Sequence, residues 1–177
     1  MKVQEVMSRS VECCRVDDDL NRPAQLMWEN DFGVVPVVDE GGFLVGVVTD
    51  RDLCMAAYTQ GRVLGAIKVG EVMSRQVESC SPGSSAEVAL ALMKEIRVRR
   101  LPVVDTEGCP VGMLSLNDLA REAARSGRIG DRHLSLEVAE ALAVIGELRG
   151  AFGERAGDRT ETTPAKGAAR KRGPVAV

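Results

Sequence analysis

One register governs this chain. EVMSRSVECC at 5–14 returns as EVMSRQVESC at 71–80, VPVVD at 35–39 returns as LPVVD at 101–105, and VGVVTDRDL at 45–53 returns as VGMLSLNDL at 111–119; each displacement is 66 residues. Three separated segments that hold one spacing without an insertion require two copies of a single supersecondary unit. Two copies are too few for a solenoid, which needs several stacked repeats. They suit a pseudo-twofold pair in which each copy covers the other's apolar face. The chain divides into a first unit over 1–62, a second over 68–127, a helix over 131–150 and a tail over 153–177.

Within each copy the periodicities give the order strand, helix, strand, strand, helix. In the first, Val11 to Cys14 reads as a short strand, and Asp17-Asp18-Asp19 offers an acidic cap. Leu20 to Asn30 follows with Leu20, Ala24 and Met27 at helical spacing, and Pro23 falls in the first turn, where proline is tolerated. Val34–Val38 and Leu44–Val48 are β-branched runs around the turn Asp39-Glu40-Gly41-Gly42. Thr49 then opens a helix that ends at about Gln60, with Gly61 just beyond it. The second copy repeats the pattern: a strand at Val77–Cys80, a helix capped by Ser85, a hairpin from Leu101–Val104 to Pro110–Leu114, and a last helix opened by Ser115. This predicts an α/β fold of α+β type. Beyond it, Leu136, Ala139, Ala143 and Ile145 mark an amphipathic C-terminal helix. From 153 onward Thr, Gly, Pro and charge take over, with Lys166, Arg170, Lys171 and Arg172 among no acids, so a disordered basic tail is expected.

Composition narrows the function classes. The chain has 177 residues, 45% of them apolar, and a formal net charge of -3. That balance gives no global attraction to nucleic acid or to an anionic membrane. Aromatic residues make up 3%, too few for base-stacking platforms. No apolar run approaches the roughly 18 residues of a membrane span, and Met1 to Ser10 carries no apolar signal core. The expected compartment is the cytoplasm. The five cysteines, at 13, 14, 54, 80 and 109, form no C-x-x-C motif and read as free thiols. The single histidine, His133, lies far from any cysteine pair, which argues against a metal site and against a Ser/His/Asp or Cys/His catalytic set. No phosphate-binding glycine loop or dinucleotide fingerprint is present. The sequence points to no catalytic residue and no enzyme.

The ordered set V-x-x-V-M-S, then V-P-V-V-D, then V-G-V-V-T-D-R-D-L, with its second version ending V-G-M-L-S-L-N-D-L, resembles the CBS domain, and the duplication resembles the paired arrangement called a Bateman module. The match covers about residues 3–127. What the resemblance implies is two CBS domains packed through their sheets, with two clefts related by a pseudo-twofold axis. In such families the clefts often take AMP, ADP, ATP or S-adenosylmethionine as a regulatory ligand. The glycine–apolar–x–Ser/Thr–x–x–Asp motif contacts ribose and phosphate there, and it falls here on Thr49 and Asp52 and on Ser115 and Asp118. The family's adenine sandwich would fall on Val11, Val35 and Pro36 and on Val77, Leu101 and Pro102. The resemblance also implies a homodimer.

Elementary chemistry fits the motif. A hydroxyl at a helix N-terminus sits beside free backbone N–H groups and the positive end of the dipole, which suits phosphate. The same Thr-x-x-Asp spacing also fits a capping box, and the two roles are compatible. The copies differ in charge. Asp31, Phe32, Gly33 and Val34 correspond to Arg97, Val98, Arg99 and Arg100, and Arg51 corresponds to Asn117. Arginine suits bidentate phosphate binding, so the clefts are expected to be unequal, with Arg51, Arg99, Arg100 and Asn117 as further candidate contacts. The alternative for the three clustered arginines is capping of helix-end carbonyls. The expectation is a regulatory sensor that binds an adenosine-containing ligand and modulates a separate partner protein; the alternative is a dimeric scaffold whose clefts bind nothing.

Overall fold

The computed structural model describes residues 1–126 and 132–156. Met1–Ile145 forms one compact unit, and residues from Gly146 belong to a second, of which only the helix running to Ala156 is described. The basic tail is otherwise outside the described residues.

The first copy runs α1 (Val3–Val6), β1 (Cys14–Arg15), α2 (Asn21–Asn30), β2 (Val34–Val38), β3 (Leu44–Thr49) and α3 (Asp50–Gln60). The second runs α4 (Val69–Val72), α5 (Ala86–Ile96), β4 (Arg100–Val104), β5 (Pro110–Ser115) and α6 (Leu116–Ser126), followed by α7 (Arg132–Ala156). The hairpins pair in equivalent registers, Val35 opposite Val48 and Leu101 opposite Leu114, with a bulge one residue before the turn in each. The turns are held by aspartate: Asp39 Oδ1 accepts from the backbone of Gly41 and Phe43, and Asp105 Oδ1 from that of Glu107 and Cys109. This is how an aspartate side chain stabilises a tight turn.

The first strands are shorter than the sequence predicts. β1 is two residues long and pairs in parallel with Val37 and Val38, because Asp18 turns the chain back on Arg15 through bonds of 2.7 and 3.2 Å. In the second copy the strand shrinks to one bridge between Cys80 and Val103, and Pro82, which has no N–H to donate, follows closely. Of the three aspartates before α2, only Asp19 bonds its first turn, accepting from Asn21 N at 2.9 Å.

The short helices α1 and α4 were not anticipated, and they interlock the copies. Val3, in the first repeat, is buried among Leu90, Leu101 and Leu114 of the second. Val69 and Met73, at the start of the second repeat, and Ile67 just before it, are buried among Leu26, Val35 and Val48 of the first. Ser8 exchanges two backbone hydrogen bonds with Met113, and Ser74 exchanges two with Val47. The crossings explain one glycine in each copy. A Cβ on Gly46 would stand 2.7 Å from the carbonyl oxygen of Ser74, and a Cβ on Gly112 would stand 2.7 Å from that of Ser8. Each repeat therefore lends its opening segment to the other's core. Burying each such valine contributes about 1.5–3 kcal/mol.

The described start of α7 joins the second core only: Val138, Ala141 and Ile145 are buried there. No helix among the described residues is long and apolar enough to cross a membrane.

Candidate functional site

The hydroxyl–aspartate pairs stand where β3 passes into α3 and β5 into α6. Thr49 Oγ1 donates to Asp52 Oδ2 at 2.7 Å, Thr49 N donates to the same oxygen at 2.8 Å, and Asp52 N donates back to Oγ1 at 3.2 Å. Ser115 and Asp118 repeat this at 2.6, 2.8 and 3.2 Å. Both pairs are thus closed capping boxes with Asp in the third helical position, each satisfying helix-end donors. The second carboxylate oxygen distinguishes them. Asp118 Oδ1 accepts from Arg121 at 2.6 Å, and Arg121 is replaced by Met55 in the first copy. Asp52 Oδ1 has no hydrogen-bond partner among the described residues.

The other candidates are distributed as follows. Val35 and Leu101 are fully buried in the two cores. Pro36 and Pro102 are buried on the opposite strand faces. The carbonyl of Pro36 accepts from the Cys14 thiol at 3.9 Å, and that of Pro102 accepts from Cys80 N at 3.1 Å. Val11 and Val77 are half-buried on the segments leading into Cys14 and Cys80. Arg51, Arg99 and Asn117 are exposed, and Arg100 is half-buried. Arg100 reaches across to the first copy, where its Nη1 lies 3.7 Å from the position a Cβ on Gly33 would take, with Asp50 Oδ2 at 2.9 Å from the same point. Arg97 caps α5 in the left-handed conformation at φ 58, as Asp31 caps α2 at φ 53. The three clustered arginines therefore diverge: one caps a helix, one is solvent-facing beside α6, and one crosses to the other copy.

A cavity of about 250 Å³ lies between α1 and α6, lined by Glu5, Val6, Ser8, Asp118, Arg121, Glu122 and Arg125. It joins the opening segment of one repeat to the aspartate of the other, a junction that only the exchange creates. Sequence reasoning missed Arg121 and Arg125, although their spacing of three and seven from Asp118 places them on its helical face.

The cysteines are thiols. Burial pushes Cys14 up to about 12 and Cys80 up to about 11, and burial with the neighbouring Glu12 pushes Cys13 up to about 11. Such groups are poor nucleophiles and poor metal ligands. No group of three or more His, Cys, Asp or Glu side chains that could hold a metal ion lies among the described residues.

Two half-sheets related by a 66-residue repeat, each ending in a hydroxyl–aspartate cap beside the other's opening segment, define a CBS domain pair. The family model for the CBS domain matches residues 3–58 and 69–125, and the chain belongs to that family. It is 38% identical over 118 residues to the CBS domain-containing protein YhcV of Bacillus subtilis, covering 67% of this chain and 82% of that one. Among solved structures it is similar to CBSX2 in complex with AMP, at 27% identity and a TM-score of 0.62 over 72% of this chain and 98% of that one. It is also similar to Hypoxic Response Protein I with two coordinated zinc ions, at 29% identity and a TM-score of 0.62 over 68% and 98%.

Proposed function

We propose that this chain is a cytoplasmic regulatory module that binds an adenosine-containing ligand, AMP, ADP, ATP or S-adenosylmethionine, in the clefts between its two CBS domains. It modulates a separate protein and catalyses no reaction itself. The observation that carries this reading is the duplicated hydroxyl–aspartate pair at two helix N-termini, in a fold whose relative CBSX2 was solved with AMP. The carboxylates would accept from ribose hydroxyls, and the positive dipole ends of α3 and α6 would face phosphate or carboxylate. Arg51 and Arg100 would add positive charge at the first cleft, and Arg99 at the second. Val11, Pro36, Val77 and Pro102 would offer apolar surface to the base, with Val35 and Leu101 backing them from the cores.

Closing the clefts on a ligand would change the relation of the two halves and so the surface shown to a partner. A thermal-shift screen tests the reading. Under it, one of the four ligands raises the melting temperature, since ligand at 100 times its dissociation constant adds about 2.7 kcal/mol. No shift with any of them at millimolar concentration would contradict it. The closed capping boxes favour one alternative, a scaffold in which these residues only end helices. In that case Asp52→Ala and Asp118→Ala would lower stability and leave partner binding untouched.

A further inference from the structure

The two hydroxyl–aspartate pairs match as caps and differ in what they leave open. An ionised carboxylate offers about four lone-pair sites, two on each oxygen. In both pairs Oδ2 accepts two bonds, from the hydroxyl and the backbone N–H of Thr49 or of Ser115. Among the described residues nothing donates to Oδ1 of Asp52, so both of its sites remain, enough for the two hydroxyls of a ribose. Asp118 keeps only one, because Arg121 Nη2 donates to its Oδ1 at 2.6 Å. A ribose can therefore engage Asp118 through both hydroxyls only after Arg121 has moved.

The cavity beside Arg121 decides where it can go. Part of its lining is common to the copies: Glu5, Ser8 and Asp118 correspond to Glu71, Ser74 and Asp52. The α6 wall is not. Arg121, Glu122 and Arg125 stand where α3 has Met55, Ala56 and Thr59, and the Thr59 hydroxyl donates back to the Met55 carbonyl at 2.7 Å. Only the second copy sets two guanidiniums, one helical turn apart, beside its aspartate. The Arg121 side chain is 73% exposed, and an ion pair so open to water is weak. Its guanidinium can leave Asp118 at little cost if another anion receives it. The cavity holds about 250 Å³, against roughly 30 Å³ for a water molecule in the liquid, so a phosphate group fits against the arginines. Glu5 and Glu122 share the lining with Asp118. Three carboxylates and two guanidiniums match one anionic group and oppose a chain of them.

We infer that Arg121 sets the specificity of the second cleft: it yields Asp118 to the ribose when a phosphate on the same ligand takes its guanidinium, so this cleft selects a nucleoside monophosphate over the bare nucleoside. The inference rests on the ligand reading above and adds to it a discriminating residue that the first cleft lacks. Arginine suits the task because its planar fork can hold either a carboxylate or a phosphate. Met55, at the equivalent position, has no charge to exchange.

Titration calorimetry of adenosine, AMP and ATP into Asp52→Asn, which disables the first cleft and leaves the second, tests the inference. AMP should bind about 10-fold more tightly than adenosine, the worth of one charge-assisted bond, and ATP no more tightly than AMP. Adding Arg121→Met, the first copy's residue, should tighten adenosine and weaken AMP, so that the preference disappears. Adding Arg121→Lys, which keeps the charge, should retain part of it. Shifts of opposite sign for the two ligands are a signature that a purely structural residue would not give. Equal weakening of adenosine and AMP by Arg121→Met, or an unaltered preference, would overturn the inference and leave the ligand reading standing. So would the loss of all binding in Asp52→Asn when the wild type binds AMP. No binding of any of the three by the wild type would remove the ligand reading and this inference with it.

Discussion

The hairpins of the two copies pair in the same register, while the helix faces behind them carry different chemistry. Everything each copy must offer the other is kept at equivalent positions: Gly46 and Gly112 at the crossings, Ser8 and Ser74 in the bridges, Val3 and Val69 in the exchanged helices, and the Thr49–Asp52 and Ser115–Asp118 caps. What each copy shows outward has separated into Trp28 against Lys94, Tyr58 against Ala124 and Met55 against Arg121. The difference teaches where the constraint lies. Backbone in contact across the pseudo-twofold axis admits few substitutions on either side. Solvent-facing helix positions admit charge, rings or a covering helix according to what lies beyond them.

The largest effect should come from Gly46→Ala and Gly112→Ala, because each new Cβ meets a backbone oxygen at 2.7 Å and the crossing segment must move. Each should cost about 1–3 kcal/mol in urea denaturation, toward the upper end. Equal losses support equivalent crossings; a neutral change at either would refute the close approach there. Next come Val3→Ala and Val69→Ala, at about 2 kcal/mol each. Their hydrogen-exchange signatures should be crossed: Val3→Ala should speed exchange in β4 and β5, and Val69→Ala in β2 and β3. A local effect confined to the mutated residue's own repeat would contradict the exchange. Thr49→Ala and Ser115→Ala should each remove a cap worth about 1 kcal/mol, read as a lowered melting temperature.

The smallest effect belongs to the clamp on α7. Lys94 donates to the Glu137 carboxylate and holds it below its ordinary range, and the same bond holds the ammonium above its own. The carboxylate's contribution is present above the usual glutamate range and is lost as pH falls through the depressed value. The ammonium's is lost only as pH rises through the raised one. The protection factors of the amides over 134–145, with the intrinsic pH dependence of exchange divided out, should accordingly be greatest between these limits and fall in acid, and Glu137→Gln should abolish that acid response. An unchanged acid response in the variant would remove the clamp from the account.

Much of this was legible in the sequence. The repeat fixed the number of units, and the runs at Val34–Val38, Leu44–Thr49, Arg100–Val104 and Pro110–Ser115 appear as strands within a residue of expectation, because alternation and aspartate turns are local signals. The caps at Thr49, Ser85 and Ser115 were legible for the same reason. The exchange of opening segments was not. Val3 and Val69 look alike in sequence, and nothing local says which core receives them. The first strands fell short because their length depends on an edge partner rather than on valine content. At the candidate site the aspartates are named by the family motif that the sequence resembles, whereas the bond from Arg121 to Asp118 and the reach of Arg100 toward Gly33 depend on side-chain paths through space.

The central claim is that the duplicated hydroxyl–aspartate pairs bind an adenosine ligand. Titration calorimetry of AMP, ATP and S-adenosylmethionine into the wild type, Asp52→Asn, Asp118→Asn and the double variant tests it most directly. The account predicts binding of at least one ligand by the wild type, weakened in either single variant and lost in the double variant, with the fold retained. Wild-type affinity in the double variant, or no heat with any of the three ligands in the wild type, would contradict it.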